Sequence, residues 1–178
     1  MGRRILLFIL CIIPLFLFSC HKPVTIEQAL KEVNVEPEKI YKIDHFEDHI
    51  IAIFYKDKRT EQNRVDLFKR HDRRLEFIIQ QEIKPEADFE KDITFGAYLQ
   101  DRTEKLPEFS FQYGIIYNPD IEMVNLHMQG DDAVEDRYAK IIEIDGFRVW
   151  YTFLDNKKIF NIQQGISKDG ELIYSNSD

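Results

Sequence analysis

The decapeptide IIEIDGFRVW, residues 141–150, predicts a β-hairpin more clearly than any other stretch of the chain. Its central Asp145-Gly146 dipeptide is typical of a two-residue type I′ turn between antiparallel strands. The register that this turn sets pairs Ile144 with Phe147, Glu143 with Arg148, and Ile142 with Val149. The two apolar pairs fall on one face and the charged pair, where we expect an ion pair, falls on the other. Turn chemistry and strand alternation therefore agree on one register.

A second stretch, ISKDGELI at residues 166–173, repeats the pattern around Asp169-Gly170. A turn of the same type predicts three pairs: Lys168 with Glu171, Ile166 with Ile173, and Gly165 with Tyr174. In this register the tyrosine ring can cover the glycine. The C-terminal part of the chain is therefore expected to contain two successive hairpins.

Alternation of apolar and polar residues extends back to Pro37. KIYKID and IIAIFYK flank the polar loop HFEDH, and NRVDLFKR and LEFIIQQE flank HDRR, which predicts two further hairpins. In EFSFQYGIIY, the apolar residues 109, 111, 113, 115 and 117 share one parity, so one face of that strand is apolar along its whole length. Residues 84–92 form a polar connector and are a candidate seam between two halves.

Helical periodicity occurs near residues 25–34. Thr25 followed by Gln28 forms a capping-box pattern, and Ile26, Ala29 and Leu30 share one helical face. About ten short strands with frequent turns then predict a mainly β fold. We expect an antiparallel β-sandwich or two packed sheets with one short N-terminal helix. An α+β fold with a single curved antiparallel sheet is the alternative.

The N-terminus has the composition of a secretory signal. Two arginines precede an apolar run at residues 5–18, which has the length of a signal-peptide core and is too short for a membrane-spanning helix. Leu17, Ser19 and Cys20 resemble the lipobox of bacterial lipoproteins. In that motif, a leucine three positions before the cysteine and a small residue directly before it direct lipidation and cleavage.

The lipobox resemblance implies a signal peptide at residues 1–19, a lipidated tether at 20–24 and a single mostly β domain at 25–178. It also implies a diacylglyceryl thioether on Cys20. Two acyl chains anchor a protein stably where one gives only marginal binding. The expected location is the extracytoplasmic face of the cell membrane, with the membrane bound through the lipid on Cys20.

Three segments of the second half carry a further resemblance. FSFQYGIIYNPDIEMV, AKIIEIDGFRVWYTF and ISKDGELIY resemble the C-terminal part of small, mostly uncharacterised lipoproteins of low-GC Gram-positive, Bacillus-type bacteria. The early FYK strand and the hairpin after it are similar too. These motifs are turns and strand alternation, so the resemblance implies a location and an architecture, and no activity.

The mature chain predicted in this way has 159 residues and is strongly acidic. Without the two arginines of the signal, 22 basic residues remain against 32 acidic ones, a net charge of −10. Such a surface repels nucleic acid, so we expect no nucleic-acid partner. Cys11 is lost with the signal and Cys20 carries the lipid, so no disulfide is expected and an apolar core must supply the stability.

One histidine pair has the spacing of a weak metal site. His45 and His49 lie at the ends of the DHFEDH loop and could meet across it, with a carboxylate as a third ligand. The order HExxH that zinc proteases use on a helix is absent, because Phe46 follows the first histidine. The other interpretation is a polar turn.

The roles of two further residues depend on whether other parts of the fold cover their strands. Trp150 lies on the charged face of its hairpin, so it is an exposed interaction anchor if that face is open and a core residue if a second sheet covers it. His127 shares parity with Met123 and Asn125 in IEMVNLHM. If that side is buried, His127 needs a hydrogen-bond partner.

Sequence motifs for catalysis are missing. The mature chain has no nucleophilic thiol, no serine in a nucleophile turn and no Gly-rich phosphate loop. We therefore expect no catalytic residues, no enzymatic activity and no cofactor. The predicted function is that of a non-catalytic, membrane-anchored surface lipoprotein, a binding or accessory module for an unknown protein or other envelope partner. The alternatives are a metal-dependent hydrolase that uses His45 and His49, and an inhibitor or immunity-type lipoprotein that blocks a toxin or a wall enzyme.

Overall fold

The computed structural model of the chain describes residues 25–46, 49–72, 74–85, 92–103, 106–129, 134–154, 160 and 162–176. The predicted signal peptide and tether, residues 1–24, lie outside these ranges, as do residues 86–91 of the candidate seam. No helix in the described ranges has the length and apolar composition needed to cross a membrane.

The predicted helix is present as α1, Ile26–Glu32, and its capping box is confirmed. Thr25 Oγ1 accepts a hydrogen bond from the Gln28 N–H at 3.3 Å, and Gln28 Oε1 accepts one from the Thr25 N–H at 3.0 Å. These two bonds satisfy N–H groups that the first helical turn leaves unpaired. Ala29 and Leu30 are buried, so α1 is held by its apolar face.

The described part of the chain contains twelve strands. They are β1 Pro37–Phe46, β2 Ile50–Asp57, β3 Asn63–His71, β4 Arg74–Glu82, β5 Gly96–Gln100, β6 Phe109–Ile116, β7 Met123–Gln129, β8 Val134–Tyr138, β9 Lys140–Ile144, β10 Phe147–Leu154, β11 Ile162–Ile166 and β12 Leu172–Ser175. They form three antiparallel sheets: sheet A in the order β1-β2-β3-β4, sheet B in the order β5-β6-β10-β9, and sheet C in the order β12-β11-β7-β8.

Sheet A is buried on both faces along β2, which explains why IIAIFY is an unbroken apolar run. Side chains toward sheet B are Ile50, Ala52 and Phe54, and side chains toward α1 are Ile51, Ile53 and Tyr55. Successive strand residues point to opposite faces, so a strand with apolar residues at every position needs cover on both sides. Here α1 covers one face and sheet B covers the other.

Sheet B is the middle sheet, and β10 contributes to the core on each side of it. Val149, Tyr151 and Phe153 belong to the core shared with sheet A, and Trp150 and Leu154 belong to the core shared with sheet C. Aromatic rings fill the first of these cores. The ring centroids of Phe54 and Tyr151 are 4.7 Å apart, as are those of Phe111 and Phe153.

The layer order is therefore α1, sheet A, sheet B, sheet C. This arrangement confirms the mainly β fold, and within the described ranges α1 is the one short N-terminal helix. A stack of three sheets takes the place of the expected pair, and the single curved sheet is not what is seen. Sheet A, from residues before the candidate seam, shares a continuous apolar core with sheet B, from residues after it.

A polar contact also joins sheets A and B. Lys140 Nζ lies 2.5 Å from Asp44 Oδ2, and the Tyr151 hydroxyl donates to the same oxygen at 3.1 Å. Burial raises the pKa of the Asp44 carboxyl, but the hydrogen bonds from Lys140 and Tyr151 outweigh that effect and hold the pKa below its usual value. Asp44 is thus ionised at neutral pH and ties β1 to β9 and β10.

The register of the β9–β10 hairpin is confirmed. Ile144 pairs with Phe147, Glu143 with Arg148, and Ile142 with Val149. Asp145 and Gly146 have φ values of 44° and 87°, as a type I′ turn requires. The ion pair that was expected between Glu143 and Arg148 does not form, so that prediction is wrong. The Arg148 guanidinium instead donates to the carbonyl oxygens of Asn118, at 2.5 Å, and Ile121, because the turn after β6 brings these acceptors beneath it.

The β11–β12 hairpin differs from its prediction by one residue. The observed pairs are Gln164 with Ser175, Gly165 with Tyr174, and Ile166 with Leu172. Ser167, not Lys168, is opposite Glu171: its N–H donates to the Glu171 carbonyl at 2.9 Å, and its Oγ accepts from the Glu171 N–H at 3.0 Å. Gly170 has a φ of 86°, so the connection is a three-residue loop with a bulge, which the serine hydroxyl stabilises.

Candidate functional site

The candidate metal pair lies on the surface at the end of sheet A. His45 is an exposed residue of β1 opposite Ile51, and His49 is exposed in the turn before β2. His49 and His71 line one open cleft at the tips of two neighbouring hairpins. Within the described ranges, no group of three or more His, Cys, Asp or Glu side chains could hold a metal ion; Glu47 and Asp48 lie outside those ranges.

Trp150 is fully buried, with no exposed surface, in the core between sheets B and C. Its indole N–H donates to the Thr94 carbonyl at 3.0 Å, and its ring stacks on Phe95 with centroids 6.1 Å apart. Sheet C covers this face of the hairpin, so the interpretation of Trp150 as an exposed anchor is wrong. Cys20, the predicted lipidation site, lies outside the described residues.

The outward side of sheet C carries exposed side chains with binding chemistry. We call it the open face; its residues include Met123, Asn125, His127, Tyr138, Gln164 and Leu172. Val124 and Leu126 point into the core, so the alternate residues of β7 point outward. Tyr138 and Leu172 have exposed fractions of 64% and 59%. Neither α1 nor another sheet covers this side within the described ranges.

Three polar side chains form the centre of the open face. His127 Nε2 lies 2.6 Å from Gln164 Oε1 and 3.2 Å from Asn125 Nδ2. Because an amide oxygen can only accept, the contact with Gln164 requires a hydrogen on Nε2 of His127. The Asn125 Nδ2 group is also a donor, so it cannot bond to a protonated Nε2; Asn125 itself is only 8% exposed. His127 is half-buried, and Gln164 supplies the hydrogen-bond partner that a buried histidine at this position was expected to need.

A cavity of about 570 Å³ lies where the end of sheet A approaches the edge of sheet B. Its lining is apolar and aromatic in part and polar in part; it includes Ile83, Pro85, Phe95 and Tyr113 as well as Glu82, Lys84 and Thr94. Its volume is in the range of small-molecule sites, but such sites also need free polar groups to orient a ligand. Three of its polar groups already have partners: the Tyr113 hydroxyl donates to Gln81 Oε1, Glu82 Oε1 accepts from Gln62 Nε2, and Thr94 Oγ1 accepts from the Ile115 N–H. This cavity is therefore a weaker candidate than the open face.

Comparisons with known proteins give this chain no relative. No protein-family model, no curated protein and no solved structure matches it.

Proposed function

We propose that this protein is a non-catalytic lipoprotein, anchored at the extracytoplasmic face of the membrane by a lipid on Cys20, that acts as a binding or accessory module for an envelope partner. The observation that carries the binding role is the open face of sheet C. It combines exposed apolar side chains with a central polar cluster, and it lies at the opposite end of the stack from α1.

The order of the layers sets the distance between the open face and the membrane anchor. Packed sheets lie about 10 Å apart, so the open face is more than about 20 Å from the helix-covered side of sheet A. A tether of residues 20–24 spans at most about 17 Å. With Cys20 in the membrane, the start of α1 stays near the lipid surface. The open face is then free to meet a partner further out.

The composition of the open face suits a protein partner. Tyr138 and Leu172 are large and exposed, and tyrosine is enriched at protein interfaces. Since the net charge of the predicted mature chain is −10, a nucleic-acid partner is disfavoured.

The two alternative functions, a metal-dependent hydrolase and an inhibitor or immunity-type lipoprotein, have different support. The metal-dependent hydrolase has no support from the described residues, among which His45 and His49 are both exposed and belong to no metal-ligand group. An inhibitor or immunity-type lipoprotein is a special case of the binding module. The identity of the partner, and not a feature of this chain, would separate the two.

A photo-crosslinking amino acid at single positions tests the binding role. Placed at Tyr138 or at Leu172 in the host's own envelope, it should give a crosslinked species of one and the same mass. The matched control is Lys31, an exposed residue of α1 at the other end of the stack, which should not give that species. A product from position 31 alone, or from no position, contradicts the assignment of the open face as the binding surface.

A further inference from the structure

Asp66 on β3 is a charged residue enclosed in the fold. It has no exposed surface and lies on the α1 side of sheet A, opposite Ile53 of β2 and Gln80 of β4. The Tyr55 hydroxyl donates to Asp66 Oδ2 at 3.1 Å, and Gln80 Nε2 lies 3.5 Å from the same oxygen. Asp66 Oδ1 has no hydrogen-bond partner in the part of the chain that the structure describes.

The charged groups around Asp66 do not neutralise it. Arg64 donates to Gln80 Oε1 at 2.8 Å and lies 3.4 Å from Asp57 Oδ2, so its charge is shared with those groups. Asp57 is itself buried and adds a like charge nearby. From α1, the buried residues are Ala29 and Leu30, which carry no charge. An ionised carboxylate with one empty oxygen in such a place is costly, whereas a protonated one is not.

We propose that Asp66 is a proton-binding site that links the stability of the fold to pH in the mildly acidic range. The site rests on the burial, the unpaired oxygen and the neighbours described above. It is independent of the binding role of the open face.

The direction of the linkage follows from the environment of the carboxyl. Burial raises the pKa of Asp66 to about 6, while the hydrogen bonds from Gln80 and Tyr55 and the charge of Arg64 lower it by less. An aspartate in an unfolded chain has a pKa of about 3.9. Between these values the folded state binds more protons than the unfolded state, so stability falls as pH rises from about 4 to about 6 and stays reduced above that.

Asp66→Asn isolates this effect, because an amide has the same shape and cannot ionise. Urea unfolding of the full-length protein at several pH values gives the unfolding equilibrium constant of each variant. We expect the ratio of wild-type to Asp66→Asn constants to rise about fiftyfold from pH 4 to pH 7. The control is Asp44→Asn. The Asp44 carboxyl of the wild-type protein has a lowered pKa, so the ratio of wild-type to Asp44→Asn constants should stay constant from pH 5 to pH 7.

A direct titration keeps the proposal testable even if Asp66→Asn does not fold. The carboxyl carbon of Asp66 in the wild-type protein, followed by NMR, should titrate with a midpoint near pH 6. A midpoint near pH 4, or a pH-independent ratio of the two unfolding constants, would overturn the proposal.

Discussion

Replacement of Gly114 by alanine should destabilise the protein by about 3 kcal/mol, which is a large part of the stability of a typical domain. A Cβ at this position would lie 1.8 Å from the Thr94 carbonyl oxygen and 2.5 Å from Trp150 Nε1. The backbone at Thr94 cannot move away easily. Its N–H donates to the Ile115 carbonyl at 2.9 Å, and its Oγ1 accepts from the Ile115 N–H at 2.9 Å. Urea unfolding followed by circular dichroism measures the loss.

The matched control is the same substitution at Gly146. No atom lies within 4 Å of a Cβ there, but φ is +87°, so the cost of Gly146→Ala is conformational and should be about 1 kcal/mol. A Gly114→Ala variant no less stable than the control variant would mean that Thr94 does not cross β6 at this point.

Removal of the Trp150 ring should have the second large effect. Trp150→Ala leaves a cavity between sheets B and C, and we expect a loss of about 3–5 kcal/mol in the free energy of unfolding. Trp150→Phe keeps most of the apolar volume but leaves the Thr94 carbonyl without its donor, so about 1–3 kcal/mol should be lost. Circular dichroism is the suitable probe, since Trp150 is the sole tryptophan of the chain.

Fluorescence of the wild-type protein checks the same placement. The emission of the folded protein should be blue-shifted, and acrylamide should quench it poorly. A readily quenched, red-shifted emission, together with a loss below about 1 kcal/mol for Trp150→Ala, would place the ring on the surface.

The local features of the fold could be predicted because their signals are short-range. Asp145-Gly146 sets one turn, and the residues on either side agree with its register. Thr25 and Gln28 similarly specify the start of α1. At the β11–β12 hairpin, the Asp169-Gly170 dipeptide alone did not determine the length of the loop. The Ser167 hydroxyl favours a longer loop, so the pairing of Ile166 moved by one residue.

The number and order of the sheets could not be predicted, because they depend on contacts between distant segments. The YAKIIEI segment reads as one strand, but the chain passes at Ala139 from β8 in sheet C to β9 in sheet B. Sequence alternation on β6 also gives a wrong prediction of which side chains are exposed. Ser110 and Gln112 have the parity of a solvent-facing side, yet both are fully buried because sheet C covers them.

The candidate site also combines a short-range feature that the sequence shows with a long-range contact that it does not. The parity of His127 with Asn125 was visible in the sequence, but their neighbour Gln164 comes from β11, 37 residues beyond the histidine. Asp66 alternates with apolar residues in NRVDLFKR, as an exposed residue would. Its burial comes from Tyr55 and Gln80 on adjacent strands and from the helix-covered core beside them.

The lipid on Cys20 is the claim from which the proposed location follows, and metabolic labelling with a fatty-acid analogue tests it most directly. Wild-type protein should take up the label. Cys20→Ala should not, and it should keep its signal peptide. Cys11→Ala is the matched control, because this second cysteine lies within the predicted signal peptide and should not affect labelling. Unlabelled wild-type protein, or label retained by Cys20→Ala, would contradict the account.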